Sequence, residues 1–235
     1  RFTLVTSDLS ALQRYETQGP RYTSYPPAPV FSESYGPREF AHDLEHRDMG
    51  RDLSLYVHQP FCDTLCYFCG CNMKVSNDRA VIAGYLESLE MEIRAVRAHL
   101  KPPVKVRQMH WGGGTPTHLK PGEILHLART LRSHFSFAAD AECSVEADPR
   151  GLGEEGIAAL QEAGFNRISI GLQDFDERVQ RAVNLVHSIE MVGRLVGWVR
   201  RHGFVSLNFD LMYGLPHQSV ETFSRTLDAV LALGP

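Results

Sequence analysis

Four of the five cysteines fall within Cys62-Asp63-Thr64-Leu65-Cys66-Tyr67-Phe68-Cys69-Gly70-Cys71. The first three are spaced C-x3-C-x2-C. A structural zinc ion takes four ligands, usually from two knuckles of paired cysteines or histidines. No second knuckle follows here, since Cys143 stands alone among apolar residues. Three thiolates on one tight loop suit a 4Fe–4S cluster in which protein holds three irons. The fourth iron then keeps an open position, which is what a catalytic metal site needs. Cys62, Cys66 and Cys69 are the metal ligands this spacing picks out, and Cys71 lies beyond it. Zinc, disulfides and uncommitted thiols are the competing readings, and the ligand spacing favours iron and sulfur.

Such a loop needs a scaffold, and hydrophobic periodicity supplies one. Alternating or apolar runs predict strands over 53–58, 104–111, 142–147, 166–172 and 204–212. Helical spacing predicts helices over 37–48, 79–100, 121–133, 153–163, 175–184, 189–202 and 218–232. In the second of these Val81, Ile82, Tyr85, Leu86, Leu89, Ile93, Val96 and Leu100 share one face. Pro121 suits the first position of its helix and Gly164 suits a C-cap. Strands alternating with helices predict an α/β fold built from βαβ units on a parallel sheet. Right-handed crossovers leave an open doubly wound sheet or a barrel, and both bind ligands at the carboxyl ends of the strands. Those ends carry Tyr56 and His58, Gly112 to Gly114, Glu146 and Asp148, Gln173 and Asp174, then Asp210 and Tyr213.

Each of these has a plain structural reading beside a functional one. Three glycines after a strand are turn chemistry, or they let backbone approach a ligand. Glu146 is a solvated carboxylate or an acceptor for the ammonium or ribose of a cofactor. Gln173 and Asp174 are ligand contacts or caps of the next helix. His58 relays a proton or braces the cysteine loop. His110, beside Trp111, reads as a satisfied core histidine, and Cys143 as a buried small hydrophobe. Asp210 stands in an otherwise apolar strand, where a carboxylate is costly unless it is paired or ligand-bound. No Gly-Lys-Ser/Thr loop points to a nucleoside triphosphate.

Composition narrows the classes further. The 235 residues carry a net charge of −4, with 43% hydrophobic and 22% charged residues, as expected of one ordinary globular domain or two small ones. Without a basic block, a nucleic-acid partner is not expected. No apolar run of about 18 residues and no signal-peptide pattern appear, so neither a membrane nor an export route is expected. Clustered cysteines then point to metal binding in a reducing compartment, the cytoplasm. Residues 1–50 are expected to form an irregular, Pro-, Tyr- and Ser-rich strap and a short helix. Because it runs from Arg1 to Gly234-Pro235, the chain reads as part of a longer protein.

The cysteine spacing resembles the radical S-adenosylmethionine (SAM) superfamily. Further motifs narrow the likeness: Gly19-Pro-Arg-Tyr-Thr-Ser-Tyr-Pro26, Tyr56-Val-His-x-Pro-Phe-Cys62, Cys66-Tyr-Phe-Cys69-Gly-Cys71-Asn72 and His110-Trp-Gly-Gly-Gly-Thr-Pro-Thr117. Glu146-Ala-Asp-Pro149, Gly171-Leu-Gln-Asp-Phe175 and Asp210-Leu-Met-Tyr-Gly-Leu-Pro216 continue it. Together they resemble the oxygen-independent coproporphyrinogen III oxidases. That resemblance implies a parallel partial (β/α)6-type barrel over 51–235, here with about five strands. A sixth strand and a C-terminal helical domain would lie beyond it, so the stretch alone is expected to be inactive. It also implies a 4Fe–4S cluster and two SAM molecules. Tyr56, Gly113 and Glu146 would touch the first SAM, and Phe68, Gly114, Thr115, Gln173 and Asp210 the second. Tyr56 and His58 are the candidate catalytic residues.

The implied reaction is decarboxylation of two propionates of coproporphyrinogen III to vinyl groups, started by a 5′-deoxyadenosyl radical that removes an unactivated hydrogen. A flavodoxin or ferredoxin would deliver electrons, and a monomer is expected. A haem-binding chaperone of the same fold is the alternative, with an inactive fragment or zinc module behind it. One position departs from the pattern. After Val183-Asn184 these oxidases usually place an arginine assigned to the second SAM, and this chain has Leu185. Weak second-site binding is therefore expected, unless His187 or Arg181 substitutes.

Overall fold

The alternating strands and helices expected from periodicity are present, and their order explains where the cavity lies. The structure, a computed structural model, describes residues 13–14, 27–46, 52–101 and 104–235. The Gly19–Pro26 segment and most of the expected strap lie outside the described residues. Two compact units are distinguished, Arg1–Asp43 and Leu44–Pro235. Helix α1 covers Pro37–His46; ahead of it the Gly36 N–H donates to Glu39 at 2.8 Å, and Tyr35 donates to Asp43 at 2.7 Å.

The larger unit carries the site. Its strands are β1 (Leu53–Gln59), β2 (Phe61–Cys62), β3 (Lys74–Val75), β4 (Lys105–Gly113), β5 (Ser136–Ala147), β6 (Arg167–Gln173) and β7 (Ser206–Leu211). Its helices are α2 (Arg79–His99), α3 (Pro121–His134), α4 (Glu154–Glu162), α5 (Glu177–Ala182), α6 (Ile189–Arg201) and α7 (Val220–Leu233). Asp78, Asp176, Ser188 and Ser219 accept backbone N–H bonds as N-caps of α2, α5, α6 and α7, which satisfies donors that helix starts leave open.

The main sheet has five parallel strands in the order β1-β4-β5-β6-β7. That order never reverses. Right-handed crossovers that always step the same way place the helices on one face, as in a barrel, whereas a doubly wound sheet reverses and covers both. Accordingly α2, α3, α4, α6 and α7 pack each against the next. Their side of the sheet is the core: Val106, Met109 and Trp111 of β4, Cys143 and Val145 of β5, and Ile168, Ile170 and Leu172 of β6 are all buried. Trp111 meets Phe165 edge-on at 4.9 Å between ring centroids.

The other face alternates with it. A parallel sheet covered on both faces reads as continuous apolar strands, but here the intervening residues are His110, Ser144, Glu146, Ser169, Asn208 and Asp210. They are in register across the strands: His110 opposite Ser144, Glu146 opposite Ser169, Ser169 opposite Asn208 and Gly171 opposite Asp210. The sheet therefore presents a polar stripe on the face away from the helices.

Three differences from the sequence expectation have local causes. Strand β5 begins at Ser136, six residues before the expected 142, because Ala138 and Ala141 are buried and Phe137 lies under Arg132 at 4.3 Å. Strands β2 and β3 pair as a separate two-stranded sheet, too short to show any periodicity. Asp176, and not Asp174, caps α5. Asp174 is 1% exposed and accepts from the Asp176 N–H, the Thr226 hydroxyl and the Gln218 amide.

Candidate active site

The cysteine loop leaves the sheet at the carboxyl end of β1 and is tied down along its length. Pairing of Phe61-Cys62 with Lys74-Val75 closes its base. The Tyr67 N–H donates to the Val183 carbonyl at 3.0 Å, and the Asn184 side chain donates to the Leu65 carbonyl at 2.8 Å. Asn184 is in the left-handed region at φ 56, a conformation asparagine tolerates better than most.

On the sheet side the loop lies against the end of β4. A Cβ on Gly114 would sit 2.6 Å from the Pro60 carbonyl oxygen and 2.9 Å from the Cys62 Sγ. Gly113 has φ +124, and a Cβ there would sit 2.8 Å from the His58 ring. Only glycine permits both the close approach and the backbone conformation. The Thr115 hydroxyl lies 3.3 Å from the Cys62 Sγ.

Loop and stripe face one cavity of about 260 Å³. Cys62, Cys66, Cys69 and also Cys71 line it, together with Phe68, Gly113, Gly114, Thr115, Glu146, Gln173 and Asp210. Tyr56 and His58 instead line a neighbouring cavity of about 280 Å³ between β1 and α2. They connect to the first through side chains. Tyr56 stacks on His110 at 5.9 Å and 20°. His58 Nε2 lies 2.8 Å from the Asn72 carbonyl, which only accepts, so the neutral ring carries its proton there and Nδ1 accepts from the Tyr56 O–H at 3.1 Å.

His110 is not the core histidine the sequence suggested. Its side chain is 37% exposed on the polar face, 2.7 Å from the Ser144 hydroxyl and 3.2 Å from Glu146 Oε1. Glu146 Oε2 accepts the Gly113 N–H at 3.2 Å. The bond from His110, reinforced by that N–H, holds the Glu146 carboxyl below the usual carboxylate range. Beyond Glu146 the stripe is self-contained: Asp210 accepts from Ser169 at 2.9 Å and from the Asn208 amide at 2.8 Å. Gln173, at the end of β6, has φ 63 where the pairing with β7 breaks register. Such backbone is costly for a non-glycine residue and tends to mark functional sites.

Burial pushes the Cys62 and Cys66 thiols up, opposed at Cys62 by the Thr115 hydroxyl and at Cys66 by Arg150. Cys71 is pushed up to about 11, by desolvation first and then by Cys69. All five cysteines are free, with Cys143 buried as expected. Arg150, which nothing in its local sequence marks, also lines the cavity. Leu185 lines it too, packed with Val179, Val183 and Leu215. Neither side chain named as a possible substitute for the family arginine lines the cavity. His187 is 5% exposed and bonded to the Leu172 carbonyl, and Arg181 pairs with Glu177 at the surface.

The model of the radical SAM superfamily matches residues 56–230. The chain belongs to that superfamily. Its members use a 4Fe–4S cluster and SAM. The chain is 48% identical over 228 residues to the oxygen-independent coproporphyrinogen III oxidase of Escherichia coli K12, covering 97% of this chain and 50% of that one. It is 45% identical over 231 residues to the enzyme so named from Pseudomonas aeruginosa, again covering 97% and 50%. The solved structure of coproporphyrinogen III oxidase from Escherichia coli, described as a radical SAM enzyme, superposes with a TM-score of 0.88 at 45% identity, over 96% of this chain and 50% of that one. A radical SAM methyltransferase from Kitasatospora setae, solved with cobalamin and a [4Fe–4S] cluster, reaches a TM-score of 0.52 at 16% identity over 77% of this chain and 34% of that one, which shows the shared fold. The chain spans about half the length of the curated relatives it matches.

The donor set fits the superfamily's cluster. Four free thiols, Cys71 included, open onto one cavity, on a loop that two glycines allow to lie against the sheet. Among the described residues no three His, Cys, Asp or Glu side chains gather around a single ion. Thiols that line one cavity without meeting at a point suit separate irons of a cluster better than one zinc.

Proposed function

We propose that the protein containing this chain converts coproporphyrinogen III to protoporphyrinogen IX without oxygen, by oxidative decarboxylation of two propionates. The observation that carries the reading is the shared cavity. The cysteine loop and the polar stripe face each other across it, in a chain 48% identical to an oxidase of that name. Cys62, Cys66 and Cys69 would hold the cluster. When bound, cluster and SAM supply one-electron chemistry that ends in removal of a hydrogen from an unactivated carbon, a step no side-chain base can perform.

The residues of this chain bind and orient. Glu146, kept ionised by His110 and the Gly113 N–H, offers a carboxylate to a SAM ammonium or ribose. Gly113 opens its backbone to the same ligand, and Tyr56 reaches it over His110. Asp210, Gln173, Phe68, Gly114 and Thr115 would line a second SAM site, where Leu185 offers an apolar wall in place of an arginine. His58 works through Tyr56 and the Asn72 carbonyl, holding the exit of the cysteine loop. A flavodoxin- or ferredoxin-type reductant, a monomeric protein and a cytoplasmic setting complete the reading; free cysteines are in keeping with a reducing setting. Among the described residues no helix is long and apolar enough to cross a membrane.

The test is anaerobic turnover by the full-length, reconstituted protein with SAM, a reductant to start each cycle, a one-electron acceptor for the substrate radical and coproporphyrinogen III. Protoporphyrinogen should form, together with two molecules of carbon dioxide per porphyrinogen. A protein that holds cluster and SAM, binds haem and releases no carbon dioxide would be a chaperone instead.

A further inference from the structure

Arg150 is the cavity's one guanidinium among the described residues, and the reaction proposed above does not use it. It is largely buried, with a side-chain exposure of 24% against 22% for its partner Asp148. Its Nε donates to Asp148 Oδ1 at 3.0 Å and Oδ2 at 3.1 Å, and its Nη2 to Oδ2 at 2.6 Å. Two donors remain. Nη1 reaches the Asn184 carbonyl at 3.2 Å, and Nη2 also points at the Cys66 Sγ, 3.8 Å away. The corner at residues 183–184 already grips Leu65 and Tyr67, on either side of Cys66. Arg150 adds a bond from that corner to the sulfur itself.

We propose that Arg150 and Asp148 are a charge pair that positions the Cys66 thiolate and sets the reduction potential of the cluster it holds. The inference rests on the cluster reading above. Reduction adds negative charge to a cluster, so a cation and an N–H donor at a ligand sulfur favour the reduced form, and a carboxylate opposes it. At an effective dielectric well below that of water these influences are large, and held together they offset one another. The pair therefore has a property that packing alone lacks: its two members act on the potential with opposite signs.

Redox titration of the cluster in full-length, anaerobically reconstituted protein reads this directly. Arg150→Gln should move the midpoint potential to a more negative value, and Asp148→Asn to a more positive one. Arg150→Lys should fall between Arg150→Gln and the parent. The double variant should return toward the parent value. Potentials unchanged in both single variants, or displaced in the same direction, would overturn the proposal. If Arg150→Gln takes up too little iron to titrate, Asp148→Asn decides alone, and a potential at or below the parent's overturns it. A parent that takes up no iron and sulfide fails at the earlier reading, and the inference falls with it.

Discussion

Trp111 and His110 are neighbours in β4 and experience opposite environments. Trp111 is 0% exposed, packed among helix side chains. His110 is on the other face, 37% exposed and engaged with Ser144 and Glu146. The same contrast runs along β5, where Val145 is buried and Glu146 lines the cavity. One face of the sheet is thus packed into the core, and the other is the face proposed for chemistry, separated by the thickness of a single strand. Substitutions on the two faces should therefore separate stability from chemistry.

The largest effect belongs to the helix face. Trp111→Ala should cost about 3–5 kcal/mol of stability through lost burial and an unfilled cavity. The indole N–H has no partner among the described residues, so Trp111→Phe, which keeps an aromatic against Phe165, should cost less. Chemical denaturation measures both.

Gly114→Ala probes the seam where the cysteine loop meets the sheet. The new methyl would collide with the Pro60 carbonyl and the Cys62 Sγ, an overpacking worth about 1–3 kcal/mol. Here stability and iron uptake should fall together. A variant of parental stability and full iron content would mean that the loop does not lie as described.

Glu146→Gln should separate the faces in the other direction. Stability should fall by about 1 kcal/mol, through weaker bonds to His110 and the Gly113 N–H, well short of the loss in Trp111→Ala. SAM affinity, measured by equilibrium binding to the reconstituted protein, should fall about tenfold for the loss of one charge-assisted bond. A loss of stability as large as in Trp111→Ala, with unchanged affinity, would reverse the roles assigned to the two faces.

The smallest effect concerns His187, behind β6. Its Nε2 donates to the Leu172 carbonyl at 2.9 Å, and its Nδ1 faces the Gln180 amide nitrogen at 3.3 Å. Burial, the largest influence, pushes its pKa below the usual 6.5. The unfolded chain therefore binds a proton more readily than the folded one as pH falls below about 6.5. Stability from this site is fully present above that value and declines as pH falls from it toward the lower folded pKa. Denaturation midpoints at pH 7.5 and 5.5 should show the decline, and His187→Gln should flatten it.

How much of this was readable beforehand depends on how local the cause is. The cysteine spacing and the period-two alternation of β5 and β6 are properties of a few consecutive residues, so the superfamily, the strands and the parallel sheet were legible. His110 was misplaced although the signal existed: with Met109 and Trp111 both inward, alternation turns His110 outward. Arg150 carried no such signal, because its partners Cys66 and Asn184 lie 84 and 34 residues away. The early start of β5 depends likewise on cover from Arg132 and on burial of two alanines. The polar stripe fell between these cases. Its members were each visible at a strand, but their common register appears only once the strand order is known.

The central claim is that Cys62, Cys66 and Cys69 hold a 4Fe–4S cluster and Cys71 does not. Its most direct test is iron and sulfide content, with visible absorption, of full-length protein reconstituted anaerobically as the parent and as four single Cys→Ser variants. The parent should show a broad absorption that bleaches on reduction. Cys62→Ser, Cys66→Ser and Cys69→Ser should lose it, and Cys71→Ser should keep it. Loss in Cys71→Ser as complete as in Cys62→Ser would contradict the assignment, and a parent without the absorption would contradict the account as a whole.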